Sequence, residues 1–174
     1  MTIRIIELAL LLALSLISDL RTGRIDNRLN AVFISAGALT GLAFNCLDGL
    51  ASSAAGILVP FILLFWLFLL RMLGAGDIKL FCAIGSIMGA WFAAWCMAWS
   101  FLAGGIMALA LMILRKNAGQ RFRYLGGYLK ACLFTGSLLE YSEITDKSSG
   151  SKFHFSPAIA VGAVIQVVLA LLKP

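Results

Sequence analysis

The chain is poor in charge, and what it lacks narrows its class before any motif is read. Charged residues make up only 13% of the 174 and hydrophobic residues 61%, against about 25% and 45–50% in an ordinary soluble domain. That balance excludes a soluble globular fold and points to a polytopic membrane protein, in line with a mean hydropathy of +0.99. Histidine occurs once, at His154. One imidazole builds no metal site, and a histidine acting as a base needs an orienting partner; the simpler reading has it end a helix near the headgroups. The four cysteines, Cys46, Cys82, Cys96 and Cys132, form no C-x-x-C pair, which excludes zinc-binding and thioredoxin-like motifs. Most lie in apolar runs, where cysteine is a small buried hydrophobe. No serine sits in a G-x-S-x-G elbow. Neither a metal nor a cofactor is expected. The sequence pI of 9.5 follows from cytoplasmic loops loaded with Lys and Arg, so no nucleic-acid partner is expected.

What is present is apolar and segmented. A spanning helix needs about 20 mostly apolar residues. Six stretches approach this: 3–20, 29–46, 50–72, 77–90, 91–114 and 155–172. The expected fold is all-α, a single membrane-embedded domain over 1–174 with about six transmembrane helices. The first stretch has neither a basic n-region nor a small-residue cleavage site, which separates it from a signal peptide. Pro60 should kink the third span or break it locally. The fourth is short, about 21 Å by helical rise, and MGAW (88–91) makes a tight turn into the fifth. Between the last two spans lies a polar segment, 115–154. Within it RFRYLGGYLKACLFTGSLLEY (121–141) reads as an interfacial amphipathic helix interrupted at Gly126–Gly127, and SEITDKSSGSK as a solvated loop. The simpler reading of the whole segment is a connector lying on the surface.

Six spans put both termini on one side, and the loop charges choose which. Of the 14 basic residues, only Arg4 and Lys173 fall on the side of the termini. The others, from Arg21 to Lys152, fall on the opposite side. The positive-inside rule makes that side cytoplasmic and puts both termini outside.

Only eight residues are acidic. Glu7 and Asp48 belong to the outer side, Asp26 to a polar loop, and Glu140, Glu143 and Asp146 to the cytoplasmic segment. Asp19 and Asp77 remain. Each lies where an apolar span meets the cytoplasm, at the same depth on the same side. Ionisable groups at the edge of hydrocarbon are costly and often functional. Two carboxylates brought close share a proton, which provides a base to activate water and a neutral acid to polarise a carbonyl. Such a pair hydrolyses peptide bonds without metal or covalent intermediate. Each has a structural reading too: Asp77 fits the N-cap of the fourth helix, and Asp19 fits a loop cap or a partner for Arg21. Gly74 and Gly76, just before Asp77, allow φ > 0 and the close approach of another chain; they also suffice simply to separate two helices.

At these residues the chain resembles a known family. GAGDIKL (74–80) is similar to the GxGDxKL element of type IV prepilin peptidases, and DLRTGRIDN (19–27) to that family's D-[ILV]-R-x-x-x-I-P-N element. FHFSPAIAVGAVI (153–165) is similar to its last helix, which often reads like PFGPAIALGAL. The three elements stand in the family's order and cover essentially the whole chain. The resemblance implies Asp19 and Asp77 as catalytic pair, with Gly74, Gly76, Lys79, Arg21 and Asn27 binding substrate or supporting the site. It implies a prepilin-like substrate, a short basic leader ahead of a hydrophobic helix, cut at the cytoplasmic face of the inner membrane. Glu140, Glu143 and Asp146 fit attraction of the leader, though a solvated acidic cluster is the simpler reading. Lys79 suits either tuning of Asp77 or snorkelling to headgroups. Two departures stand out. Asp26 occupies the position of the usual proline. No paired C-x-x-C domain is present, so the expectation is a peptidase without N-methyltransferase activity, resembling the short enzymes of Flp/Tad pilus systems.

Two other classes fit in part. A small proton-coupled carrier also uses intramembrane carboxylates, but usually near the midplane and with inverted repeats, and no repeat is visible. A catalytically silent scaffold of a pilus or secretion machine has no need of either aspartate. A presenilin-like protease shares GxGD but sets its aspartates deeper in their helices.

Overall fold

The computed structural model describes residues 2–70, 72–114 and 155–172. The amphipathic helix and acidic loop expected within 115–154, and His154, lie outside the described residues. Among those described, the regular elements are α1 (Thr2–Thr22), α2 (Asn27–Leu69), α3 (Ala75–Met88), α4 (Ala90–Leu114) and α5 (Ser156–Leu172).

The turn from α1 to α2 is set by local chemistry. Gly23 takes a left-handed backbone (φ 65°) and its N–H donates to the Asp19 carbonyl at 2.8 Å, the usual way to end a helix. The hydroxyls of Ser18 and Thr22 both donate to the Arg24 carbonyl, at 3.0 and 2.9 Å. Asp26 then caps α2: its backbone is extended (φ −66°, ψ 129°) and its Oδ1 accepts the Arg28 N–H at 3.0 Å, satisfying one of the free amides of the first turn.

α2 folds back on itself at Asn45 and Cys46, whose backbone is not helical. Cys46 sits at φ 49°, a conformation that costs a residue with a side chain about 1–3 kcal/mol. The two arms, 27–44 and 47–69, run antiparallel. Ser53 Oγ donates to the Gly37 carbonyl at 3.3 Å, and a Cβ on Gly49 would overlap the Gly41 carbonyl. Small residues at such crossings let backbones meet, the main source of helix association where water is absent.

α3 lies in the groove of this hairpin, parallel to the first arm and antiparallel to the second. Ser86 Oγ donates to the Ile34 carbonyl at 2.8 Å, and Cys82 Sγ to that of Ile57 at 3.4 Å. Gly85 meets Gly56 backbone to backbone. Ile78 and every residue from Leu80 to Ile87 are buried, so α3 is apolar all round because it is surrounded by protein. The backbone stays helical through Pro60, and the local break expected there is not found. Pro60 has no N–H to offer the Gly56 carbonyl; that carbonyl lies against Gly85 instead, a place for a weak Cα–H···O contact.

Gly89 alone separates α3 from α4, at φ 91°. α4 pairs with α5 in antiparallel fashion, Ser100 against Gly162 and Gly104 against Phe155. α2 and the stretch Ala90–Leu111 are long and apolar enough to cross a membrane, and α5 is a shorter apolar helix. Outward-facing Leu39, Trp66, Ile106 and Val164 are exposed, as lipid-facing side chains are. The end of α1, both ends of the α2 hairpin and the starts of α3 and α5 gather at one end of the bundle.

Candidate active site

Asp19 stands in the last turn of α1 and is 7% exposed. Its Oδ2 accepts a hydrogen bond from Ser156 Oγ, in the first turn of α5, at 2.6 Å. Asp77 is half-buried in the first turn of α3. It is not the N-cap that its position suggested: that place belongs to Gly74, which has no side chain to cap with. Asp77 is the third residue of the helix, and its carboxylate reaches back to the Gly74 amide, as an acidic residue does at that position in a capping box. Asp19 and Asp77, from different helices and 58 positions apart, lie within electrostatic reach of each other.

The surrounding residues divide by role. A Cβ on Gly74 would sit 3.2 Å from Asp77 Oδ2, so the absent side chain leaves that carboxylate uncrowded. Gly76 packs on Ile25, where an added Cβ would meet the Ile25 Cβ at 3.4 Å. Its role is helix packing, and neither glycine uses the positive φ it allows: Gly74 has φ −73°, and among the described residues only Gly23 and Gly89 are left-handed glycines. Lys79 Nζ donates to Asn27 Oδ1 at 2.9 Å, tying α3 to the start of α2. Arg21 is exposed in the last turn of α1, where its charge suits the negative end of the helix. The start of α3 also borders a cavity of about 490 Å³ lined by Phe68, Leu69, Met72, Leu73, Gly74 and Ala75.

The profile of the type IV leader peptidase family matches residues 6–110, more than half of the chain and both aspartates. The chain belongs to that family. No curated protein and no solved structure matches it significantly. As a member of the type IV leader peptidase family it is a peptidase, and with its long apolar helices it is a membrane protein.

Three buried polar residues at this end of the leader-peptidase bundle were not singled out by sequence. Ser156 is 2% exposed and Asn30 and Ser15 are 1% exposed. Asn30 Nδ2 donates to the Gly76 carbonyl at 3.5 Å, beside Asp77. Its Oδ1 and Ser15 Oγ are buried without a hydrogen-bond partner among the described residues. Ser15 lies one turn before Asp19, on the same face of α1. A serine four residues before an aspartate in an apolar run is a readable signal for Ser15. Ser156 lies inside the FHFSPAIAVGAVI element, which marks the segment but not that residue, and Asn30 had no comparable signal; only folding brings either to this end of the bundle. The Asp26 departure also has an explanation. Its φ of −66° is the angle proline imposes, and its side chain adds a cap that proline lacks. Among the described residues no three His, Cys, Asp or Glu side chains cluster as a metal site would require.

Proposed function

We propose that this peptidase is an aspartyl endopeptidase that removes the short basic leader of a prepilin-like protein at the cytoplasmic face of the inner membrane, with Asp19 and Asp77 as its catalytic pair and without N-methylating the product. The observation that supports this reading is that those two carboxylates, on α1 and α3, lie within electrostatic reach of each other at one end of the bundle. One carboxylate takes a proton from water as the oxygen attacks the scissile carbonyl. The other, protonated, donates to the carbonyl oxygen. Collapse of the tetrahedral intermediate returns a proton to the leaving amine. Exposed Gly74 leaves room for an extended substrate beside Asp77, and the neighbouring apolar cavity suits a side chain from the start of the substrate's hydrophobic helix. A carboxylate pair at the bundle's end, not its middle, weighs against a proton-coupled carrier.

The test is direct. Purified in detergent, with EDTA present, the chain should release the leader of a prepilin-like protein at one junction, and mass spectrometry should find the new N-terminus unmethylated. A precursor that stays intact beside a folded enzyme would remove the peptidase reading of this substrate class.

The accompanying topology has six spans, the two arms of α2 counting separately, with both termini and the Asn45–Cys46 reversal on the non-cytoplasmic side. Cys46 is exposed there, whereas Cys82 and Cys96 are buried. In a Cys132→Ser background, a membrane-impermeant maleimide should label Cys46 in intact spheroplasts. Labelling that appears only after the membrane is opened would invert the orientation.

A further inference from the structure

We propose that Ser156 is a positioning residue for Asp19: its hydroxyl holds Oδ2 and so turns Oδ1 toward the water and Asp77. This rests on the reading of Asp19 and Asp77 as the catalytic pair. The contact is short, at 2.6 Å, and both partners are buried, Ser156 at 2% and Asp19 at 7% exposure. A carboxylate at a helix end has two free torsions. The backbone there is already fixed by the Gly23 amide on the Asp19 carbonyl and by the two hydroxyls on Arg24. What remains to be set is the rotation of the carboxylate itself, and among the described residues Ser156 engages it.

Ser156 is itself held firmly. Phe155 packs against Gly104 of α4 and its ring lies 5.7 Å from that of Phe101. The Phe155 carbonyl accepts the Ile159 amide at 3.2 Å, and Ala158 and Ile159 are fully buried. The start of α5 is thus wedged onto α4, and the hydroxyl is aimed away from its own helix. A serine in the first turn commonly turns back to bond local backbone; this one spans 137 positions of sequence to reach Asp19.

A carboxylate free to rotate spends less time in the reactive geometry, and misplacement on the scale of 1 Å costs about 100-fold in rate. Ser156→Ala and the nearly isosteric Ser156→Cys, a weak donor, should therefore lower kcat about 10- to 100-fold with KM little changed. Ser156→Thr, which keeps the hydroxyl, should restore most of the rate. Thermal melting in detergent accompanies each variant. Unchanged kcat in Ser156→Ala or Ser156→Cys would overturn the proposal. So would a loss in which KM rises or the melting temperature falls and Thr fares no better, since that pattern belongs to packing. Asp19→Asn, run in parallel, separates the two readings. If it still cleaves, the catalytic pair is wrong; if it is inactive while Ser156→Ala turns over normally, only the positioning role fails.

Discussion

Asp77→Asn and Asp19→Asn are each expected to leave the leader uncut, with a loss of at least about 1,000-fold in kcat. Asparagine matches aspartate in shape, so the effect reports chemistry and not packing. At position 19 the amide oxygen can still accept from Ser156, and at position 77 it can still accept from the Gly74 amide. What vanishes is the ability to take or give a proton. Asp26→Asn is the matched control. Asp26 is exposed and works as the N-cap of α2, a place where asparagine serves about equally well. It should process the precursor at close to the wild-type rate. The measurement is the ratio of precursor to product over time, with membrane insertion checked for every variant. An inactive Asp26→Asn beside an active Asp19→Asn would keep the enzyme class and move the first catalytic aspartate.

The second large effect concerns the frame that holds Asp77. A Cβ on Gly85 would overlap the Gly56 carbonyl, and one on Gly56 would overlap the Gly85 carbonyl. The obstacle on each side is backbone, which cannot rotate away as a side chain can. Gly85→Ala therefore has to push α3 from the second arm of α2. It should cost about 3 kcal/mol, the upper part of the usual range for overpacking, and disturb the helix that presents Asp77. Gly105 is the contrast. A Cβ there meets nothing within 4 Å, so Gly105→Ala should be neutral or stabilising by up to about 1 kcal/mol from helix propensity alone. Thermal melting in detergent decides the matter. A Gly85→Ala protein as stable as Gly105→Ala would show that α2 and α3 do not pack this closely.

How much of this was readable beforehand depends on the range of the interaction. Hydropathy alone marks the apolar stretches, because a helix in lipid satisfies its own backbone and needs no distant partner to form. Local chemistry likewise explains the reversal at RTGRID, where Gly23, Asp26 and two hydroxyls act within a few residues of each other. Local rules are least informative where they meet a distant neighbour. Pro60 is expected to kink its helix or break it locally; the backbone stays helical there, and the Gly56 carbonyl, one turn earlier, lies against Gly85. Gly74 and Gly76 looked alike in sequence. Only the packed bundle gives one to the carboxylate and the other to Ile25.

The aspartates divide in the same way. Their residue type, their place at the edges of apolar spans and the motifs around them were determined by sequence alone, since hydropathy and order along the chain are one-dimensional properties. That Asp19 and Asp77 come within electrostatic reach of each other, and that Ser156 from the last helix bonds one of them, was decided only by tertiary structure. An electrostatic approach across 58 positions and a hydrogen bond across 137 depend on how backbones cross at Gly37, Gly85 and Gly162. Those crossings are set by steric fit between helices, which no single segment encodes.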